Sequence, residues 1–128
     1  YLYSSSMKDC DWAYLWEKDQ KELPLVELPN DITMDDFTYY YFTFSDPAVR
    51  CMYPNREVFG NWKHEFDGLA LEGNKIFILK LHPQMIGRAS RIGMVGEFIA
   101  YMQNHGAWIT TCEDVARYVQ KQNGGNRA

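Results

Sequence analysis

The sequence has 128 residues, of which 46% are hydrophobic and 16% aromatic, enough apolar surface for the core of one domain spanning 1–128. Thirteen basic and 17 acidic residues give a net charge of -4, which excludes the basic footprint typical of nucleic-acid-binding proteins. No apolar run approaches the roughly 18 residues of a membrane span. We therefore expect neither a nucleic-acid partner nor a membrane partner.

The cysteines and the chain ends give two further expectations. Cys10, Cys51 and Cys112 have the spacing of neither a disulfide framework nor a zinc motif, which favours free thiols and a cytoplasmic location. The chain opens without Met in a strand-like run, 1–6, as expected for a piece of a longer polypeptide. Its last residues, 120–128, are typical of a frayed C-terminus.

The first part of the chain predicts short strands separated by polar loops. The predicted elements are a strand at 1–4, a loop at 5–14, a polar surface connection at 16–22, a strand at 25–28, a polar loop at 30–37 and a β-prone aromatic stretch at 39–44.

The second part predicts helices alternating with strands. Apolar spacings of three and four predict a helix over 58–72 that ends at Gly73. A nearly continuous apolar strand follows at 76–81, then a second helix from about Ser90 to Gly106 and a short strand at 107–110. The inward stripe of that second helix would comprise Ile92, Val95, Phe98, Ile99 and Met102. Thr111 would cap a last helix with Asp114 in its first turn; its inward residues would be Val115, Tyr118 and Val119.

This alternation predicts an α/β fold with a parallel sheet. In such folds functional residues lie beyond the C-terminal ends of the strands, here the loops 5–14, 30–37 and 82–91. His82 directly follows the apolar strand, where it could act as a general acid or base or be held structurally beneath a loop. Lys80 shares its face of the strand, and either pairs with a carboxylate or extends to solvent. Its candidate partners are Asp11, Asp35 and Asp36.

Two other clusters have alternative interpretations. The pair Asp35–Asp36 could hold a proton, a cation or a basic side chain, or form a solvated turn. Arg88 and Arg91 could hold an anion at the start of a helix, or bind backbone carbonyls or acids of a neighbouring loop. Since neither a His-x-x-x-His nor a Cys-x-x-Cys spacing occurs, this chain alone encodes no recognisable metal site.

The stretch 78–92, Ile-Leu-Lys-Leu-His-Pro-Gln-Met-Ile-Gly-Arg-Ala-Ser-Arg-Ile, resembles the last motif of the polysaccharide deacetylase family. This is the NodB-homology group, carbohydrate esterase family 4. The resemblance is to its peptidoglycan deacetylase-like and allantoinase-like branch, in which Leu-Thr-Leu-His-Pro-Gln precedes Gly-Arg-Pro-Ser-Arg. Residues 3–14, 25–36 and 65–69 resemble further segments of that branch in the same order.

The resemblance implies the C-terminal half of a distorted (β/α) barrel of about seven strands, completed by an N-terminal half absent from this chain. It also implies an amide hydrolase in which the histidine of the last motif, here His82, protonates the leaving amine. A general base and a divalent metal, zinc or similar, would be supplied by the missing half, which is then a partner of this chain. The substrate would be a small amide or an N-acetylated sugar, and the protein an oligomer.

The chain departs from the family pattern at three positions, where Trp12 replaces Arg, Ala13 replaces Pro and Lys80 replaces Thr. These changes favour a smaller or flatter substrate such as a cyclic amide or ureide, and leave a metal-independent variant open. The implied site-lining residues are Asp11, Trp12, Tyr14, Asp35, Asp36 and Lys80, with Arg88 and Arg91 stabilising the loop. The alternative is a non-catalytic carbohydrate-binding or interaction domain, in which Trp12, Tyr14 and the tyrosines at 39–41 stack on sugar rings.

Overall fold

The computed structural model describes residues 1–46 and 52–124. In chain order the elements are β1 (Tyr3–Ser4), β2 (Tyr14–Lys18), β3 (Lys21–Glu27), a 3₁₀ turn (Ile32–Met34), α1 (Asp36–Tyr40), α2 (Asn55–Glu72), α3 (Pro83–Ile86), α4 (Ala89–Asn104) and α5 (Cys112–Gly124).

The sheet has three strands in the order β1-β3-β2. β1 runs parallel to β3, and β2 pairs with β3 in the antiparallel direction. The α/β class is confirmed, but the sheet is mixed rather than parallel, and the described residues form no closed barrel. β3 is the central strand of the sheet. Because β1 runs parallel to it, the C-terminal end of β3 lies beside the loop that follows β1.

The polar surface connection predicted at 16–22 is wrong, because these residues form the β2–β3 hairpin. Its two turn residues, Asp19 and Gln20, have φ angles of 52° and 60°, as a two-residue hairpin turn that matches strand twist requires. Both strands are exposed at this end, so the apolar alternation by which a strand is recognised is missing there.

The main core lies between α2 and α4. Trp62 and Phe66 of α2 meet Phe98 of α4, and Phe98 is fully buried, with the rings of Phe59 and Phe77 also around it. Both predicted helices are confirmed. The predicted stripe of α4 is wrong at two residues, since Ile92 and Ile99 are exposed, on a face that no described element covers.

A second, smaller core joins α5 to the sheet. Val26 and Leu28 pack with Ala116, and Val115 and Val119 lie against them as predicted. Tyr118 instead points outward and contacts Trp108, with ring centroids 5.6 Å apart. Thr111 caps the helix as predicted. Its hydroxyl accepts the Asp114 N–H at 3.2 Å and donates to the Asp114 carboxylate at 2.7 Å.

Three strand predictions need correction. The aromatic stretch at 39–44 begins inside α1, because the Asp35 carboxylate caps this helix by accepting the Phe37 N–H at 2.9 Å and packing then overrides the β propensity of the tyrosines. Residues 76–81 are extended but pair regularly only at a bridge between Asp35 and Lys80. Residues 107–110 form no strand within the described part of the chain. A strand requires a partner for its backbone groups, which composition does not reveal.

Two observations concern the cysteines and the membrane. Cys10 and Cys112 are free thiols, and Cys51 lies outside the described residues. Among residues 1–46 and 52–124, no helix combines the length and the apolar character needed to cross a membrane.

Candidate active site

Two backbone hydrogen bonds bring the loop after β3 against the end of the extended segment 76–81. The Lys80 N–H donates to the Met34 carbonyl at 2.9 Å, and the Asp36 N–H donates to the Lys80 carbonyl at 3.1 Å. This short parallel register places Asp35 and Asp36 beside Lys80 and His82, although more than forty residues separate the two segments. The sequence predicted these four residues, and the structure brings them together.

His82 is fixed by a buried carboxylate. Asp36 is fully buried. One of its oxygens lies 2.6 Å from His82 Nδ1, and the other accepts the His82 backbone N–H at 2.9 Å. Because an ionised carboxylate only accepts hydrogen bonds, Nδ1 carries the proton in this contact. Nε2 is then the ring nitrogen that a substrate can meet, on a side chain that is 37% exposed.

Lys80 binds the second carboxylate of the pair. Its Nζ lies 3.1 Å from Asp35 Oδ2 and donates to Asn30 Oδ1 at 2.9 Å. The other Asp35 oxygen lies 3.5 Å from His82 Nδ1. Of the two alternatives for Lys80, the structure has the paired one, with Asp35 as the partner. Asp35 therefore lies between two basic side chains.

The group Asp35–Asp36–His82 has the residue types of a metal site, and one ligand atom from each lies within 4.8 Å of the others. The contacts do not fit a divalent ion. All four carboxylate oxygens already face a donor, and His82 Nδ1 is committed to Asp36. An ion on Asp35 Oδ2 would also be repelled by the Lys80 ammonium, whose nitrogen lies 3.1 Å from that oxygen.

Glu27 is a buried carboxylate that sequence reasoning missed. It is fully buried at the end of β3 and accepts the N–H groups of Ser6 and Met7 at 2.7 and 2.9 Å and the Trp16 indole N–H at 3.0 Å. Burial by itself raises the pKa of Glu27, because it disfavours the charged carboxylate. Hydrogen bonds to the carboxylate have the larger combined effect and hold the pKa of Glu27 below its usual range; they come from Met7, Ser6, Ser4 and Trp16. The sequence feature that could have indicated Glu27 is its position as a charged residue inside an apolar strand. Glu27 anchors the loop after β1.

That loop carries three predicted site residues. The backbone carbonyl of Asp11 accepts the Ile76 N–H at 2.9 Å, and Asp11 lines a cavity of about 200 Å³ together with Asn30. Trp12 is 51% exposed, with Lys75 Nζ 5.0 Å from its ring centroid. The Tyr14 hydroxyl donates to Asp9 at 3.0 Å, and desolvation together with this carboxylate raises the pKa of Tyr14 to about 12. Of these three, Asp11 lines the same cavity as Asn30, whose side chain accepts a hydrogen bond from Lys80.

A pair of stacked aromatic residues lies next to His82. The Phe37 ring lies 5.3 Å from the His82 ring and stacks on Tyr41 at 4.1 Å. Sequence reasoning missed Phe37, although it directly follows the acidic pair. Tyr39 and Tyr40 are buried, so the expectation that they stack on sugar rings is wrong.

The two arginines lie at the start of α4. Arg88 precedes the first helical residue, and its carbonyl accepts the Arg91 N–H at 2.8 Å. The Arg91 guanidinium donates to the Met85 carbonyl at 2.8 Å and lies 3.9 Å above the Tyr40 ring. Arg91 thus ties the short α3 turn, which directly follows His82, to α1.

Comparisons with known proteins show which solved structures share this fold. No family model matches the chain, and no curated protein matches it. Solved structures do match. One is named as a polysaccharide deacetylase of Mycobacterium smegmatis, with 26% identity and a TM-score of 0.78, and the match covers 95% of this chain and 42% of the other. Another is named as a polysaccharide deacetylase of Pseudomonas aeruginosa PAO1, with 26% identity and a TM-score of 0.76, and the match covers 95% of this chain and 40% of the other. Puue allantoinase also matches, with 27% identity and a TM-score of 0.74, and the match covers 91% of this chain and 38% of the other.

The chain thus spans about two fifths of the length of these solved structures. The matches cover both its sheet and its helices, since at least 91% of the chain is aligned in each of them. Its fold matches part of the fold of these solved structures. The resemblance of this chain to the polysaccharide deacetylases, with an allantoinase among the similar structures, is confirmed.

Proposed function

We propose that this chain forms part of a deacetylase-like hydrolase of carbon–nitrogen bonds in which His82 is the general acid. The observation that carries the proposal is the contact of 2.6 Å between His82 Nδ1 and the fully buried carboxylate of Asp36. A histidine held in this way presents Nε2 in a fixed direction, as proton transfer to a substrate atom requires.

The arrangement suits the departure of an amine. An amine leaves a tetrahedral intermediate readily only once its nitrogen is protonated, and the imidazolium Nε2–H can supply that proton. Asp36 stabilises the positive charge before the transfer and keeps the ring in one orientation after it. The general base and any metal ligands are proposed to lie on the N-terminal half that the resemblance implies, as a partner of this chain.

The substrate is proposed to be a small amide, with two classes to compare. N-acetylated sugars follow from the two similar structures named as polysaccharide deacetylases, and a cyclic ureide follows from the one named as an allantoinase. The replacement of the family Arg by Trp12 and of Thr by Lys80 favours the smaller, flatter class.

The test begins with intact mass and N-terminal sequencing of the protein purified from its source, to identify any polypeptide that accompanies this chain. That complete protein is then assayed on N-acetylglucosamine oligomers, by acetate release, and on allantoin, by ring opening. His82→Ala should lower kcat by about 10²–10⁴-fold, the contribution typical of a general acid.

Two variants sharpen this assay. Asp36→Asn should also lower kcat, because an amide supports neither the charge nor the tautomer of His82. His64→Ala, on the exposed side of α2, is the matched control and should keep full activity. Full activity in His82→Ala would refute the role of His82.

One observation supports the second candidate, a binding domain that retains the fold without the chemistry. Trp12 is half exposed on the loop after β1, as a residue that stacks on a sugar ring would be. Binding of N-acetylglucosamine oligomers that Trp12→Ala abolishes, with no turnover under any metal condition, would favour this alternative.

A further inference from the structure

We propose that Lys80 is an internal cation that occupies the place a metal ion would take beside Asp35, and that it thereby keeps divalent ions out of the Asp35–Asp36–His82 group. Lys80 is then a positioning residue, because it acts through Asp35. By keeping ions away, Lys80 leaves Asp36 free to orient His82 as the general acid, and this consequence rests on the proposed function. The exclusion of metal rests on the contacts alone.

The geometry around Nζ resembles a cation site. Nζ lies 3.1 Å from Asp35 Oδ2 and 2.9 Å from Asn30 Oδ1. Carboxylate and amide oxygens of this kind are the ligands that Mg²⁺ and Mn²⁺ prefer. The Lys80 side chain is 31% exposed and that of Asp35 is 17% exposed, so both are only partly accessible to solvent, and an ion at Oδ2 would have to displace the ammonium.

The neighbours of the two carboxylates give the same assignment. Asp35 faces Lys80 Nζ at 3.1 Å, and Asp36 faces His82 Nδ1 at 2.6 Å. A divalent ion added to this group would compete with both basic side chains. With Lys80 in place, Asp36 remains bound to His82 through both of its oxygens.

The proposal predicts that removing the ammonium creates a metal site. Lys80→Thr, which restores the residue of the family pattern, should free Asp35 Oδ2 and Asn30 Oδ1 for an ion. Lys80→Arg retains the charge and should not. The matched control is Lys63→Met, which breaks an ion pair of the same 3.1 Å length on α2, far from these carboxylates in the sequence.

The experiment uses the complete purified protein, stripped of metal with a chelator and titrated with Mn²⁺. The number of ions bound at about 1 mM free Mn²⁺, the affinity range of weak oxygen sites, is measured by calorimetry and electron paramagnetic resonance. Lys80→Thr should bind one more ion than the natural protein, and the double variant with Asp35→Asn should lose it. In the natural background Asp35→Asn should leave the ion count unchanged.

Nuclear magnetic resonance locates the added ion. With any metal site of the N-terminal half first filled with diamagnetic Zn²⁺, the ring signals of His82, assigned by their loss in His82→Ala, should broaden with added Mn²⁺ in Lys80→Thr and stay sharp in the Lys80→Arg and Lys63→Met variants. A folded Lys80→Thr variant that gains no ion would overturn the proposal. Loss of a bound ion when Asp35→Asn is introduced into the natural protein would also overturn the proposal. This second measurement does not depend on the folding of Lys80→Thr.

These outcomes are separate from those of the proposed function. Loss of activity in His82→Ala together with an unchanged ion count in Lys80→Thr would leave the hydrolase proposal standing and remove the role of Lys80. The reverse combination would leave Lys80 as an internal cation in a protein whose His82 is not catalytic.

Discussion

The substitution Glu27→Gln tests whether one buried carboxylate holds the loop after β1. Glu27 accepts hydrogen bonds from the Ser6 and Met7 amides through one oxygen and from the Trp16 indole through the other. A glutamine of the same shape keeps one acceptor oxygen, but its NH₂ group must then face a donor. We therefore expect one of these contacts to be lost and the others to lose their charge.

The magnitude follows from these contacts. A hydrogen bond to a charged group contributes about 1.5–3 kcal/mol, and a neutral one about half as much. The loss is partly offset because a neutral side chain is less costly to bury than a charged one. We expect Glu27→Gln to lower the free energy of unfolding by about 2–3 kcal/mol at pH 7.

The pH dependence provides the sharper assay. The folded-state pKa of Glu27 is lowered, so its contribution is complete above the unfolded value, near 4.3, and is lost as pH falls through the folded pKa. Urea unfolding of both proteins between pH 7 and about pH 3 should therefore show a difference that shrinks on acidification, as Glu27 in the natural protein becomes protonated.

Glu17→Gln is the matched control, because Glu17 lies on the exposed end of β2 opposite Glu22 and should change stability by less than about 0.5 kcal/mol. Limited proteolysis should cut the loop 5–13 faster in Glu27→Gln than in the control. A difference that is small at pH 7, or that stays constant down to acid pH, would refute the reasoning about Glu27.

The remaining predictions concern the core, a cap and a turn. Phe98→Ala should lower the free energy of unfolding by about 3–5 kcal/mol, as expected for a fully buried ring, whereas Ile92→Ala, at an exposed position of the same helix, should cost far less in the same urea titration. Thr111→Ala should cost about 1 kcal/mol through loss of the α5 cap, and Thr111→Ser should restore most of it; equal melting temperatures for the two variants would exclude the cap. Gln20→Gly should stabilise the protein by about 0.5–1 kcal/mol, because Gln20 has a φ of 60° that glycine adopts without strain; a lower melting temperature would contradict this.

The helices were the part of the fold that sequence patterns predicted well. The spacing of Trp62, Phe66 and Leu69 fixes which side of α2 is apolar, and Thr111 with Asp114 specifies the start of α5 through contacts only three residues apart. Such signals are local, so the sequence contains them in full.

The strands were predicted less well, because their partners are distant in the chain. The hairpin of β2 and β3 has a polar end, and the segment 76–81 meets the loop after β3 through only a short register. The helix α1 was missed because tyrosines with high β propensity form it once Asp35 caps its start.

The sequence by itself determined the chemistry available for the site, since Asp35, Asp36, Lys80 and His82 could be named from their residue types and their places at the ends of predicted strands. Only the tertiary structure decided how they divide: Asp36 with His82, and Asp35 with Lys80. It also decided that Asn30 contacts Lys80 and that Glu27 anchors the loop after β1, through contacts 20 to 50 residues apart. The physical reason is that residue type and spacing limit which contacts are possible, whereas the register of two distant segments selects which of them form.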